Sequence, residues 1–125
     1  MWKGVTPQLP VADVARAQAY YRDVLGCRVA WTWGKGYGAI FNDDVRIFFL
    51  REDKPQPGSC VCIFVEDADA LYAQYRARGA EIVEPIESKP WGMREFTVKD
   101  LDGHFLRIGR GEREVDEILG FTVPV

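Results

Sequence analysis

The chain has 125 residues, with 16 Lys and Arg against 19 Asp and Glu and a net charge of −3. This is the length of one domain; 47% hydrophobic and 28% charged residues suffice to bury a core, and the mildly acidic balance excludes an electrostatic grip on nucleic acid as the main activity. No apolar run approaches the roughly 20 residues of a membrane span, Met1-Trp2-Lys3-Gly4 carries no secretory pattern, and three cysteines, two of them at 60 and 62, argue against a disulfide framework, so a reducing cytoplasm is the expected setting.

In chain order, Val5 to Leu9, with Pro7 and Pro10, reads as a short edge strand. Asp13 is placed to cap a helix in which Val14, Ala17, Tyr21 and Val24 recur at helical spacing, and Gly26 ends it. Cys27 to Trp33 and Tyr37 to Phe41 read as strands joined through Gly34-Lys35-Gly36. Asn42-Asp43-Asp44 is a hairpin signal before a strand from Val45 to Leu50. Residues 53–58 form a polar, proline-containing linker. The order then recurs: a strand from Ser59 to Val65, a helix capped by Asp67 and ended at Gly79, and strands over Glu81 to Ile86, Met93 to Val98 and His104 to Ile108. Asp102-Gly103 marks the last hairpin turn. Residues 111–125 form a tail, with a short helix as one reading and no assigned role.

The recurrence survives a shift of 54 residues. Val11 then meets Val65, Asp13 meets Asp67, Ala19 meets Ala73, Tyr21 meets Tyr75, Arg22 meets Arg76 and Val29 meets Val83. The expected fold class is α+β: two βαβββ modules with curved mixed sheets, module one at about 4–52 and module two at about 59–110, within one domain. Each module sets four strands on one helix, so one sheet face lacks a cover of its own. The other module, a second chain or a ligand must meet it.

Three segments carry a resemblance: Thr6-Pro7-Gln8-Leu9-Pro10 running on to Tyr20-Tyr21-Arg22-Asp23-Val24-Leu25-Gly26; Pro90-Trp91-Gly92-Met93-Arg94-Glu95-Phe96; and Asp100-Leu101-Asp102-Gly103-His104. Over about Val5 to Gly109 the chain resembles the vicinal oxygen chelate (glyoxalase/bleomycin resistance/dioxygenase) superfamily, and within it the bleomycin-resistance branch. The resemblance implies paired βαβββ modules around a cleft, in a homodimer with strand exchange between subunits. Leu101 stands where the family usually has proline.

Enzymes of that superfamily hold a divalent metal at four seats. Counting from Val11, Val65 and Gly103, those seats fall on Thr6, Cys60 and Arg107, with Phe48 as the fourth, or Phe49 if the register slips by one. A hydroxyl, a phenyl ring, one thiol and a guanidinium do not make a divalent site. The single histidine, His104, reads as structural or solvent-facing, and Cys60 and Cys62 as small buried cysteines. No metal and no cofactor is expected, and no catalytic residue is assigned.

Strand parity puts one set of side chains on the uncovered faces. In the first module these include Gln8, Val29, Trp31, Trp33, Tyr37, Ala39, Phe41, Arg46, Phe48 and Leu50. In the second they include Cys60, Cys62, Phe64, Met93, Glu95, Thr97, Phe105 and Arg107. Aromatic residues make up 13% of the chain, with four Trp, a surplus that fits either a ring-lined site or an ordinary core. The resemblance implies that Trp31, Tyr37 and Trp91 stack on a planar ligand. The candidate ligand-binding set is Trp31, Trp33, Tyr37, Phe48, Cys62, Phe64, Trp91, Met93, Glu95 and Arg107. Glu95 is expected to pair internally with Arg46 or Arg107.

The function implied is sequestration of a planar aromatic antibiotic of the bleomycin type, conferring resistance without chemical modification. The competing reading is an enzyme acting on a small molecule, a glyoxalase-like lyase or isomerase or a dioxygenase relative: either a metal-dependent lyase, against which the missing ligands count, or a cofactor-free isomerase with Glu95 as its base. A sensor or partner-binding module is a third.

Overall fold

The computed structural model describes residues 1–54 and 58–112. The tail expected to carry a short helix lies outside the described residues from 113 onward, as does the centre of the linker at 55–57. The described residues divide into two compact units: 1–54, 58–59 and Leu101–His104 in one, and 60–100 with 105–112 in the other.

The first unit contains β1 (Gln8–Val11), α1 (Val14–Asp23), β2 (Arg28–Trp33), β3 (Tyr37–Asn42) and β4 (Val45–Arg51). The second contains β5 (Cys60–Phe64), α2 (Ala68–Ala77), β6 (Glu81–Ser88), β7 (Met93–Lys99) and β8 (Phe105–Gly111). The sheet orders are β1-β4-β3-β2 and β5-β8-β7-β6. In each, the first strand runs parallel to the last and the other neighbours are antiparallel. The two βαβββ modules expected from the internal repeat are therefore present as two mixed four-stranded sheets.

The same local chemistry starts both helices. Asp13 accepts from the Arg16 N–H at 3.0 Å, and Asp67 accepts from the Ala70 N–H at 3.0 Å. Each carboxylate satisfies a donor that the first helical turn leaves without a partner. Gly26 (φ 70°) and Gly79 (φ 85°) turn the chain out of the two helices in the left-handed region. β1 begins later than expected, at Gln8. The Phe48 N–H donates to the Pro7 carbonyl at 3.0 Å, and the ladder runs on from there to Val11. Pro10 is tolerated because β1 is an edge strand, where a missing N–H need not break a ladder.

Each helix buries one sheet face. In the first unit Val11, Val14, Ala17, Tyr21, Ile40, Ile47 and Phe49 form the core, with Tyr21 and Phe49 rings 4.9 Å apart. In the second, Ala68, Tyr75, Phe96, Val98, Leu106 and Ile108 do so, and Tyr72 and Tyr75 pack edge-on to Phe96. The bidentate pair of Arg94 with Asp69, both contacts 2.8 Å, ties β7 to α2 at the surface. That pair lowers the Asp69 carboxyl, first through the hydrogen bond from Arg94.

One irregularity resets the first sheet. Val29 pairs with Ile40 and Trp31 with Ala39, so Ala30 is an extra residue in β2. Residues opposite one another share a face. Val29 therefore lies on the helix side with Ile40, not on the uncovered face that unbroken alternation assigned to it. Gln18 of α1, only 5% exposed, sits at this bulge. Its amide donates to the Trp31 carbonyl (3.0 Å), the Thr32 hydroxyl (3.1 Å) and the Ala39 carbonyl (3.3 Å). Gly38 allows that approach, because a Cβ there would stand 2.7 Å from Gln18 Nε2 and from Val14 Cγ1.

Gly109 plays the corresponding part in the second sheet. A Cβ at this position would meet Glu95 Cβ at 2.6 Å and the Arg94 carbonyl oxygen at 2.8 Å. The second clash is with backbone and cannot be relieved by a rotamer change. Gly109→Ala is expected to lower stability by about 1–3 kcal/mol, read as a fall in the urea midpoint with an unchanged slope.

Candidate functional site

The uncovered face of the first sheet carries a ring cluster. Trp31, Ala39 and Phe48 lie in one cross-strand row on three successive strands. Strands are about 4.8 Å apart, so two outer side chains can meet only over a small central one. Ala39 is that residue, and it is fully buried. The Trp31 and Phe48 ring centroids stand 5.2 Å apart, and Tyr37 closes the triad at 5.0 Å from Trp31 and 5.9 Å from Phe48. All three contacts are edge-to-face, the geometry that ring quadrupoles favour. The Tyr37 hydroxyl donates to Gln8 Oε1 at 2.9 Å, which fixes the tilt of its ring. Trp31 remains 38% exposed and Trp33, opposite Tyr37, 79% exposed. Four of the candidate residues, Trp31, Trp33, Tyr37 and Phe48, are thus brought to one face of one sheet.

The uncovered face of the second sheet is more polar. Its rows are Cys60 with Phe105 and Lys99; Cys62 with Arg107, Thr97 and Glu84; and Phe64 with Gly109, Glu95 and Glu87. Met93 stands opposite Gly111. Glu95 is 5% exposed, its carbon chain lying over Gly109. The expected pairing of Glu95 with Arg46 or Arg107 is not found: among the described residues no ion pair reaches its carboxylate. Cys60 and Cys62 are exposed, not buried, because β5 is an edge strand and both face away from α2.

Trp91 stands in the β6–β7 turn, which is closed by the Gly92 N–H donating to the Lys89 carbonyl at 3.0 Å. The ring is 46% exposed, and the Lys89 ammonium lies 5.9 Å from its centroid. That ammonium contacts Glu87 and lies 3.6 Å from Glu84 Oε2, and the Glu87 hydrogen bond first of all raises its pKa. Lys89, Glu84 and Glu87 escaped the sequence reading. Two register shifts in β6 hide the common face of Glu84 and Glu87 from a simple alternation count.

The metal seats do not fit a divalent ion. Thr6 precedes β1, Phe48 belongs to the ring triad, and Cys60 and Arg107 supply one thiol and a cation. Among the described residues no group of three or more His, Cys, Asp or Glu is placed to hold a metal ion. His104 is buried, and its Nε2 lies 2.7 Å from the Pro10 carbonyl, so it ties the Leu101–His104 turn to β1. Beside it the Ala12 N–H donates to Asp102 at 2.9 Å. A cavity of about 560 Å³ at the start of α1 is lined by residues including Asp13, Thr32, Lys35 and Arg51. None of the candidate residues lines it.

The chain belongs to the Glyoxalase/Bleomycin resistance protein/Dioxygenase superfamily, whose model matches residues 5–108. Among solved structures it is similar to TioX from Micromonospora sp. ML1, at 24% identity and TM-score 0.77 over 88% of this chain and 99% of that one. It is similar to a bleomycin-binding protein crystallised with bleomycin, at 24% identity and TM-score 0.77 over 89% and 100% of the two chains. A glyoxalase-related enzyme from Clostridium phytofermentans aligns with TM-score 0.78 at 18% identity, over 89% and 96%. These likenesses establish the fold. No curated protein matches the chain in sequence.

The three thiols differ in exposure: Cys60 and Cys62 are exposed and Cys27 is not. Burial pushes Cys27 up to about 11, against an ordinary value of 9.0, with a hydrogen bond from Asn42 opposing it. Its thiolate at pH 8 is therefore about one part in a thousand. A thiol reagent at pH 8 is expected to label Cys60 and Cys62 in the folded chain and Cys27 only on unfolding. Because the folded value lies above the ordinary one, the stability tied to Cys27 is fully present below pH 9 and is lost as pH rises through 11. Cys27→Ala removes that alkaline loss.

Proposed function

We propose that the chain binds and sequesters a planar aromatic antibiotic or natural product of the bleomycin type, without altering it, as a cytoplasmic homodimer. The observation that carries this reading is the Trp31–Tyr37–Phe48 triad, three edge-on rings on the sheet face opposite α1, which no helix among the described residues covers. A flat heteroaromatic group laid on such a platform buries a large apolar area and gains about 1 kcal/mol per ring pair beyond it. Trp33 on the first sheet, and Phe64, Trp91 and Met93 on the second, are further contact candidates. Cys62, Glu95 and Arg107 supply polar contacts in this reading. Protection by sequestration is stoichiometric and calls for a dissociation constant below micromolar, roughly −8 kcal/mol or stronger. The family match and the fold shared with a bleomycin-binding protein support the class of ligand. The net charge of −3 doubles to −6 in a dimer and gives modest steering of a cation.

One observation favours a second reading. Glu95 is a nearly buried carboxylate on the uncovered face with no ion-pair partner among the described residues, as a general base would be. That reading is a cofactor-free isomerase of glyoxalase type.

Bleomycin titrated into the protein is expected to quench Trp fluorescence, saturate at one drug per chain, and raise the melting temperature. Trp31→Ala and Trp91→Ala should each weaken binding tenfold or more, and mass spectrometry should recover the drug unchanged. Saturating drug that moves neither signal sinks the bleomycin reading. Turnover of a bound compound that Glu95→Gln abolishes establishes the enzyme reading instead.

A further inference from the structure

We propose that Cys60 and Cys62 form a two-thiolate site for a soft monovalent cation of the Cu(I) type, on the uncovered face of the second sheet. The site shares no residue with the ring triad. Cys60 and Arg107 are also two of the four metal seats that the resemblance assigns, and Cys62 and Arg107 are polar contacts of the ring-binding reading, but a two-thiolate site needs neither the other seats nor that reading.

The first argument is placement. Positions two apart on a strand project to the same face, and both thiols are exposed. β5 is the edge strand of its sheet, so only β8 flanks it. Phe105 stands beside Cys60 and Arg107 beside Cys62. The two thiols also feel each other. Cys62 is raised first by partial loss of hydration and next by Cys60, while Arg107 acts in the opposite direction.

The second argument is span. Two residues of strand advance about 6.6 Å. A disulfide needs an S–S bond of about 2.05 Å and Cβ atoms about 3.8 Å apart, so it cannot close here while β5 keeps its ladder. Two metal–thiolate bonds of about 2.3 Å placed in line reach about 4.6 Å. Cysteine side chains leaning toward each other from a strand can meet that span without backbone movement.

The third argument is chemistry and charge. Sulfur-only sites select soft ions such as Cu(I). Zn²⁺ wants four ligands, and no group of three or more metal-binding side chains occurs among the described residues. Two thiolates around a monovalent ion leave one negative charge, and the Arg107 guanidinium is alongside to balance it. Binding replaces two S–H protons, released to solvent, with two S–Cu bonds, and copper stays in the same oxidation state. Cys27 takes no part, because burial holds its thiol protonated, up at about 11.

The test is an anaerobic competition between the full chain and the coloured bicinchoninate complex of Cu(I) at neutral pH. The parent is expected to withdraw one Cu(I) per chain. Cys60→Ser and Cys62→Ser should each weaken withdrawal at least tenfold, with Cys60→Ala and Cys62→Ala as second variants and melting temperatures confirming that all fold. Cys27→Ala should behave as the parent, and Zn²⁺ should not be retained. The proposal is overturned if the parent leaves the copper with bicinchoninate, if the folded Cys60 and Cys62 variants withdraw as much as the parent, or if copper binds at one per two chains. A Cys60–Cys62 disulfide formed by mild oxidation of the metal-free protein, seen as the loss of two hydrogens by mass spectrometry, would overturn the span argument equally.

Discussion

A four-stranded sheet has two faces, and among the described residues each unit supplies a single helix. That shortage governs the rest. The face against α1 or α2 is filled by branched aliphatic and aromatic side chains and closes as a core. The other face must either remain wet or be met by something else. The two sheets resolve the problem differently. The first sets rings against one another, so that Ala39 is buried beneath Trp31 and Phe48 without help from a helix. The second carries carboxylates, a guanidinium and two thiols, and stays compatible with water or with a polar guest.

The ring triad depends on contacts made from the opposite side of its sheet. Gln18 reaches from α1 through the space left by Gly38 and satisfies the carbonyls of Trp31 and Ala39. Those carbonyls belong to the row that carries the rings, and the bulge at Ala30 brings Trp31 into that row. A buried amide, a glycine and one extra residue together hold a site to which none of them contributes a surface. Buried polar groups of this kind need their partners, because an unmet amide in an apolar layer costs more than the bond itself returns. Glu95 lying over Gly109 is the matching device in the second sheet, a long side chain accommodated where its neighbour has none.

The catalytic and ligand-binding branches of this superfamily share one scaffold, so function rests on which groups occupy the uncovered faces. Here the four positions that the family resemblance assigns to a divalent ion bear a hydroxyl, a ring, a thiol and a guanidinium. The residues that dominate the first face are aromatic and partly exposed, a composition suited to flat guests. The second face keeps a nearly buried carboxylate, which is why a proton-transfer reading stands beside the sequestration reading.

Local signals determined a good deal from the sequence alone. Helix caps at Asp13 and Asp67, terminating glycines and a recurrence at 54 residues specify two βαβββ modules, because caps and turns act over three or four residues and leave readable spacing. Alternation placed Trp31, Trp33, Tyr37 and Phe48 together, since strand parity is a local property while the ladder is regular. It failed at Val29, and it left Glu84 and Glu87 unnoticed, because a bulge inserts a residue without any marker in the sequence. The exposure of Cys60 and Cys62, and the lack of an arginine partner for Glu95 among the described residues, were decided by tertiary structure alone. Both turn on which strand lies at a sheet edge and on how near a side chain from another strand can come, and those are long-range distances that no short stretch of sequence encodes.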